Sequence, residues 1–410
     1  MTKLNVLIVG SGHYVTGMTV LSGVKQTDKD KGVLLPALLA LKKDDVIDNI
    51  GIVSRDGKKL KVAIESYGLD RKVCDSLRLY PSEDAVDETA YINALDNMPK
   101  PLAVIIAVPD YLHENVILAC IERGSPFLVL KPAVTTLASY YKILKALSKN
   151  PILGMVDYHK VYDDANLLLK NDIKNSEYGK LQHISSVMTQ RREMLDLYSR
   201  WIEADINLNI NHYLGSHYIH LTGFITGAEP IDVRATAQYG VAEKKFNKKI
   251  ADLIETQIRW KLGNDCIFTS YHIAGWSDPS ETESMTRQEL GLICEHGHVY
   301  SDQKYRGFRK ILSDKGSLTP NPYYFDLTPD IFGDSNLHGK YGFLSVKYFL
   351  KMILDIDNSK KTLSDVDKFL PSITESGRVT AILEAADKSL ACSSAVVSIN
   401  KNDSGQYELN

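Results

Sequence analysis

The densest hydrophobic signal in the chain lies between residues 103 and 132. Residues 103–108 are an unbroken apolar run that stops at Pro109. A helical pattern follows, with His113, Val116, Ile117, Cys120 and Ile121 on one face and Gly124 closing it. A second apolar run, residues 127–130, ends at Lys131 and Pro132. Short apolar runs on either side of one amphipathic helix predict a β-α-β unit with both strands buried in a parallel sheet. Ligands of such sheets bind outside the carboxyl ends of the strands, where Pro109 and Lys131 lie. The proline holds Lys131 in extended backbone and fixes where its side chain emerges. Lys131 is therefore the first candidate for chemistry.

The pattern on either side extends this unit. Residues 4–9 read as a strand running into Gly10-Ser11-Gly12-His13. Gly-x-Gly after a first strand is the entry to a dinucleotide-binding fold, where the first glycine allows a tight turn and the second lets backbone approach a pyrophosphate. The third fingerprint position holds Val15, and Gly17 comes two residues late. Residues 25–32 are polar and turn-like, and 33–41 look helical, so an elongated loop follows the glycines. It reads either as a cover over a cofactor or as a solvated insertion.

Further strands are expected at 49–53, 79–80 and 152–156, with helices at 68–77, 84–97 and 140–148. Topology places a division near residue 150, giving a dinucleotide-binding domain over 1–150 and a second α/β domain over 151–410. Alternation at 181–188, 231–237, 255–262, 265–272 and 289–295 predicts a sheet with one covered face. Helices are expected at 165–171, 212–225, 342–356 and 377–390, and the polar tail from residue 398 reads as frayed.

Composition narrows the classes. At 410 residues two domains are the default. A formal charge of −3 lacks the basic footprint of a nucleic-acid or anionic-membrane partner. Five scattered cysteines without a Cys-x-x-Cys pair suit reduced thiols. No apolar stretch approaches membrane-spanning length, and the short apolar run at the N-terminus meets glycines at once, so a cytoplasmic protein without a targeting segment is expected.

Candidate chemistry gathers at strand ends and on one helix. Ser54-Arg55 ends the second strand, where an acidic residue would hold ribose hydroxyls and a Ser-Arg pair would hold a 2′-phosphate. Asp56 stands close enough to blur that choice, so NAD and NADP both stay open, with NADP mildly favoured. The cofactor contacts expected are Gly10, Ser11, Gly12 and His13 at the first turn, then Ser54, Arg55, Ala107, Pro109, His113, Lys131 and Pro132 at later strand ends. Asp157 and His159 follow the strand ending at residue 156 and are candidate substrate contacts, with a solvated loop start as the alternative.

Tyr213, His217 and His220 stand at i, i+4 and i+7 and share a helical face. General acid/base work is one reading of a phenol and two imidazoles together. Zinc is disfavoured because no carboxylate or thiolate joins the face. Packing is the plainer reading, most of all for His220. Trp201 and Trp276 could stack on a sugar ring or simply fill core.

At Pro109-Asp110-Tyr111-Leu112-His113 and Leu130-Lys131-Pro132 the chain resembles the glucose–fructose oxidoreductase and inositol dehydrogenase (Gfo/Idh/MocA) family. Gly10 and Gly12, Gly179-Lys180-Leu181, Gly215-x-His217 and the late helical segment with Glu384-Ala385-Ala386 recur in the family's order. The resemblance implies a Rossmann domain followed by an α/β domain with a large, open, mostly antiparallel sheet. It implies oxidation or reduction of a carbinol in a sugar, polyol or sugar derivative with NAD or NADP. Lys131 and His217 would be the acid/base pair, with Tyr213 an alternative, and Lys131, Asp157, His159, Tyr213 and His217 would meet substrate. The family's Lys-Pro bond is often cis, and its members commonly form homodimers or homotetramers.

Three positions depart from the family pattern: Leu130 replaces a glutamate, Tyr213 a commonly found aspartate, and His220 a final aspartate. Two other classes stay in view. One is a tight-cofactor enzyme that forms a keto-sugar or couples two sugars. The other is a nucleotide-binding regulator without catalysis, which would have no need of Lys131 and His217.

Overall fold

The computed structural model describes residues 3–17, 32–199, 202, 209–263, 266–313, 316–325, 329–333 and 337–410. Two sheets organise it. The first takes β1 (Leu4–Val9), β2 (Ile47–Val53), β3 (Arg78–Tyr80), β4 (Leu102–Ile106), β5 (Phe127–Leu130) and β6 (Gly154–Asp157). Their order is β3-β2-β1-β4-β5-β6, and every pairing is parallel. All residues of β1 and β4 are buried, as expected for strands covered on both faces. Each fully buried Leu, Ile or Val there contributes roughly 1.5–3 kcal/mol of transfer free energy. The strand order reverses between β1 and β4, so the crevice for a ligand opens at their carboxyl ends. The sheet's last strand ends at Asp157, beyond the division expected at residue 150.

Helices Leu34–Lys43, Gly57–Ser66, Ala90–Asn97, His113–Glu122 and Leu137–Lys149 cover this sheet. Helix Gly57–Ser66 was not among the expected elements. Its signal lies in Asp56, whose carboxylate accepts from the Lys59 backbone N–H at 3.0 Å, and in buried Leu60, Ala63 and Ile64. The helix expected at 68–77 shrinks to Arg71–Asp75, and that expected from residue 84 starts only at Ala90. In the latter case the Asp87 carboxylate takes both the backbone N–H and the hydroxyl of Thr89, which favours a turn over helix.

The second sheet contains β7 (Leu181–Arg191), β8 (Glu229–Gln238), β9 (Leu253–Leu262), β10 (Cys266–Asp278), β11 (Thr286–Cys294) and β12 (His298–Asp302). A separate hairpin, β13 (Lys310–Leu312) with β14 (Gly316–Leu318), precedes β15 (Val397–Lys401) and β16 (Tyr407–Leu409). The large sheet runs β12-β11-β7-β10-β9-β8-β15-β16, antiparallel throughout except where β7 meets β10. The tail is thus not frayed: it supplies two strands at the sheet edge, where alternating side chains need only one covered face.

Helix Gly377–Ala391 packs between the sheets and fastens one to the other. Glu384 accepts from the Leu137 N–H at 2.6 Å, at the open first turn of helix Leu137–Lys149, and the Tyr140 hydroxyl donates to the Thr374 carbonyl at 2.6 Å. No helix among the described residues is long and apolar enough to cross a membrane.

Candidate active site

The site grows from the carboxyl ends of β1, β2, β4, β5 and β6. Gly10 leaves β1 with φ +120°, and a Cβ there would fall 2.2 Å from the Ala107 carbonyl oxygen beyond β4. Only glycine lets the two strand ends approach so closely. Gly12 begins the short helix His13–Thr16, and open space faces its missing Cβ. Val15 is fully buried, and Gly17 ends the helix in a left-handed conformation. The late glycine therefore stops the helix, and a valine packs where the fingerprint has its third small residue. The expected loop at 25–32 lies mostly outside the described residues, but its far end is fixed: the Val33 N–H donates to the Tyr14 carbonyl at 2.8 Å.

Ser54 and Arg55 line the cavity at the end of β2, with Lys58 and Lys59 beside them. Asp56 also lines it, caps the following helix and sits 3.2 Å from the Lys59 ammonium. That backbone cap holds its carboxyl below the usual aspartate range. The Arg55 guanidinium is largely exposed and stands 3.6 Å from Glu88.

His113, expected to touch cofactor, lines the same cavity but is buried and engaged with backbone. Its Nδ1 lies 3.0 and 3.1 Å from the Pro132 and Ala133 carbonyls, and its Nε2 lies 3.0 Å from that of Val108. Burial pushes its pKa down against the pull of Asp110 and the three carbonyls. Whichever nitrogen donates, the ring pins the β4 turn to the β5 turn and so sets where Lys131 emerges. The Lys131–Pro132 peptide is cis.

From β5 the Lys131 ammonium reaches the second domain, donating to the Tyr213 carbonyl and lying 4.4 Å from the centre of the Tyr213 ring. Tyr213 belongs to a π-helical turn, Asn211–Gly215, that runs into helix Ser216–Thr226. The Asn211 side chain lies where a Cβ on Gly215 would be, 2.0 Å from its Oδ1. Tyr213 and His217 both line the cavity. His220 does not: it is buried and stacked on Tyr158 at 3.7 Å, and burial with nearby Arg378 and Lys170 pushes it well below the ordinary histidine range. The stacking on Tyr158 takes His220 out of the set that regular spacing would align, while Tyr213 and His217 stay together across the wide turn.

β6 brings Asp157 and His159 to the same cavity. The buried Asp157 carboxylate accepts from Ser345 Oγ at 2.6 Å and from the Tyr14 hydroxyl at 3.1 Å. The Tyr324 hydroxyl in turn donates to that of Tyr14 at 3.2 Å. Burial and the Asp157 charge push the Tyr14 phenol well up, so it stays protonated and donates. His159 Nδ1 stands 4.0 Å from Asp157, and its ring lies 4.9 Å from that of His217, between centres.

Sequence reasoning missed Tyr14, Gln190, Gln288, Asn321, Tyr324 and Tyr341, all of which line the cavity. Tyr14 carried a signal, as the residue directly after Gly-x-Gly-His; the others come from distant parts of the chain. Trp276 is fully buried against Tyr198 and does not line the cavity, so the sheet core claims it. Trp201 lies outside the described residues.

The strand-end groups, Tyr213 and His217 face one cavity of about 1420 Å³. Its glycine turn, the open space at Gly12 and the polar groups at successive strand ends fit an extended dinucleotide. Lys131, Tyr213, His217, Asp157 and His159 line the same cavity.

Residues 4–158 match the model of an oxidoreductase family with an NAD-binding Rossmann fold. Scyllo-inositol 2-dehydrogenase (NADP(+)) IolW of Bacillus subtilis (strain 168) is 26% identical over 152 residues, which are 37% of this chain and 41% of that protein. The chain thus matches about two fifths of that curated relative's length. Myo-inositol 2-dehydrogenase from Lactobacillus plantarum shares the fold with TM-score 0.67 and 14% identity, over 97% of this chain and 100% of that one. Scyllo-inositol dehydrogenase from Lactobacillus casei, solved with NAD(H) and scyllo-inositol, aligns with TM-score 0.66 and 11% identity over 97% and 99%. Residues 4–158 are thus similar to the NAD-binding Rossmann domain of that oxidoreductase family, and the two-domain fold is shared along the chain with solved dehydrogenases.

Proposed function

We propose that the protein is an NAD(P)-dependent oxidoreductase that moves a hydride to or from a carbinol carbon of an uncharged polyol or sugar. The observation that carries this is the meeting of Lys131 with Tyr213, next to His217, in a cavity that the glycine turn also lines. A bound nicotinamide supplies hydride acceptance or donation there. Lys131, held by the Tyr213 carbonyl, orients the substrate hydroxyl, and His217 takes or returns its proton. Tyr213, whose ring faces the lysine, is the alternative proton carrier.

The wall from the second domain supports an uncharged substrate. Gln190, Gln288, Asn321, Tyr324 and Tyr341 line it, and among the described residues that wall contributes no lysine or arginine to pair with a phosphate or carboxylate. Gln190 is buried, donates to Thr286 at 3.1 Å, and its Oε1 has no partner among the described residues. A substrate hydroxyl would satisfy it, since an unmade buried hydrogen bond costs about 1–3 kcal/mol.

Arg55 and Lys58, beside an Asp56 already committed to its helix, favour NADP through contact with a 2′-phosphate. Exposed Ile267, Ile293 and Tyr300 on the second sheet support self-association as a dimer or tetramer, which light scattering reads. The test of the function is to titrate NADP and NAD separately, then follow nicotinamide absorbance with a panel of inositols and sugars. Arg55→Ala should weaken NADP about tenfold and leave NAD nearly unchanged. Failure of both cofactors to bind overturns the proposal. Cofactor that copurifies and survives dialysis redirects it to tight-cofactor chemistry.

A further inference from the structure

We infer that His159, backed by Asp157, is the second carrier of the reaction's proton, relieving His217 after each turnover. The inference rests on the function proposed above and concerns where the proton goes next.

In the oxidative direction the carbinol C–H leaves as hydride to the oxidised nicotinamide dinucleotide. The O–H bond breaks, its electron pair forms the carbonyl, and its proton goes to an unprotonated nitrogen of His217. One proton per turnover must then leave. His217 is buried, at 5% exposure, on a helix whose next histidine, His220, is stacked away from the cavity. Of the other imidazoles lining the cavity, His113 is held by backbone carbonyls, whereas His159 lies with 4.9 Å between its ring centre and that of His217. That spacing lets a nitrogen of one ring reach the other directly or through one water.

His159 is built to receive a proton. Its Nδ1 lies 4.0 Å from the Asp157 carboxylate, which is itself held by Ser345 and Tyr14 and so cannot swing away. An opposite charge at that distance in a buried site favours the imidazolium. The phenols Tyr324 and Tyr341 also face His159, at 5.0 and 5.9 Å between ring centres. Lys160, its neighbour in sequence, is turned away onto Gln288 and Gln303. Asp157 is thus a fixed negative charge beside His159. When the carbonyl product leaves and water enters the cavity, His159 releases the proton. In the reductive direction the same pair reloads His217. Asp157 acts through His159 and is a positioning residue.

The test uses the full chain. His159→Gln should lower steady-state turnover about tenfold to hundredfold. The first turnover of pre-bound cofactor should fall much less than the steady-state rate does, because His217 can still accept one proton. Added imidazole should restore much of the lost rate, which it would not do for a merely structural defect. A second readout needs no turnover: in 15N-histidine spectra of cofactor-free protein, Asp157→Asn should move the His159 Nδ1 resonance and leave that of His272 in place. If either variant fails to fold, the wild-type spectra decide, since His159 and His217 should titrate as a coupled pair, each recording both steps.

Independent single-step titrations, an unmoved Nδ1 resonance, or a His159→Gln enzyme that is fully active or deaf to imidazole overturns the relay. Should the wild type turn over no polyol while the two rings remain coupled, the proposed function fails and the pairing stands. Turnover without coupling removes the relay alone.

Discussion

Tyr14 ties three distant parts of the chain together, and replacing it with phenylalanine tests that tie. Its hydroxyl donates to Asp157 at 3.1 Å and accepts from Tyr324 at 3.2 Å, so Tyr14→Phe removes two hydrogen bonds while keeping the ring. A hydrogen bond to a charged group is worth about 1.5–3 kcal/mol and one between neutral groups about 0.5–1.5 kcal/mol. The expected loss is therefore about 2–4 kcal/mol in unfolding free energy. Tyr324→Phe should remove only the outer bond and cost about 1 kcal/mol. If the hydroxyls form a chain, the double variant should be little worse than Tyr14→Phe alone, because the outer bond is already lost with the inner phenol. Urea melts of the three variants and wild type at constant m-value supply all four corners of that cycle. A Tyr14→Phe loss below about 0.5 kcal/mol, or strict additivity in the double variant, would refute the reasoning.

Lys131→Ala should cut turnover about a hundredfold or more while leaving the dissociation constant for cofactor nearly unchanged, as read by fluorescence titration beside steady-state rates. Gly10→Ala should abolish cofactor binding and lower the melting temperature, since its Cβ would sit 2.2 Å from a carbonyl oxygen that belongs to backbone. His272 is fully buried between the hydroxyls of Ser186 and Ser270, and burial first, then nearby His183, pulls it from the ordinary value down to about 3. Below about pH 6.5 the unfolded chain binds a proton there that the folded chain refuses, so this group's contribution falls as pH drops and is gone near its folded value. The stability advantage of wild type over His272→Gln should accordingly shrink by about 2 kcal/mol between pH 7 and pH 5, measured by denaturant melts.

What is legible in the sequence is what local chemistry writes. The apolar runs at 4–9, 103–108 and 127–130 announce buried parallel strands, and the glycine, proline and lysine at their ends mark the site from residue order alone. Lys131, His217, Asp157 and His159 do converge on one cavity. Tyr324, Tyr341, Gln190 and Gln288 are illegible because each has an ordinary local setting and is recruited only by folding. His220 misleads for a different reason: one turn along the regular helix from His217, it is buried and stacked on Tyr158, a partner that only folding brings to it. The tail misleads because an edge strand needs little hydrophobicity, so polar composition there does not mean lack of order.

The two closing strands carry a consequence for how the molecule can be altered at a distance. The Tyr407 backbone pairs with the Tyr141 hydroxyl, the Tyr407 phenol donates to Glu229 at 2.7 Å, and Asn410 exchanges backbone hydrogen bonds with Ser398 at 2.8 and 3.1 Å. Tyr141 rides on helix Leu137–Lys149, which starts five residues after Pro132 and is gripped at its first turn by Glu384. Lys131 is therefore followed closely in the chain by a helix whose bearings lie in the opposite lobe. Drift at that remote edge, far from any ligand, gives selection or an engineer a fine adjustment of the lysine's aim without altering a single group inside the cavity.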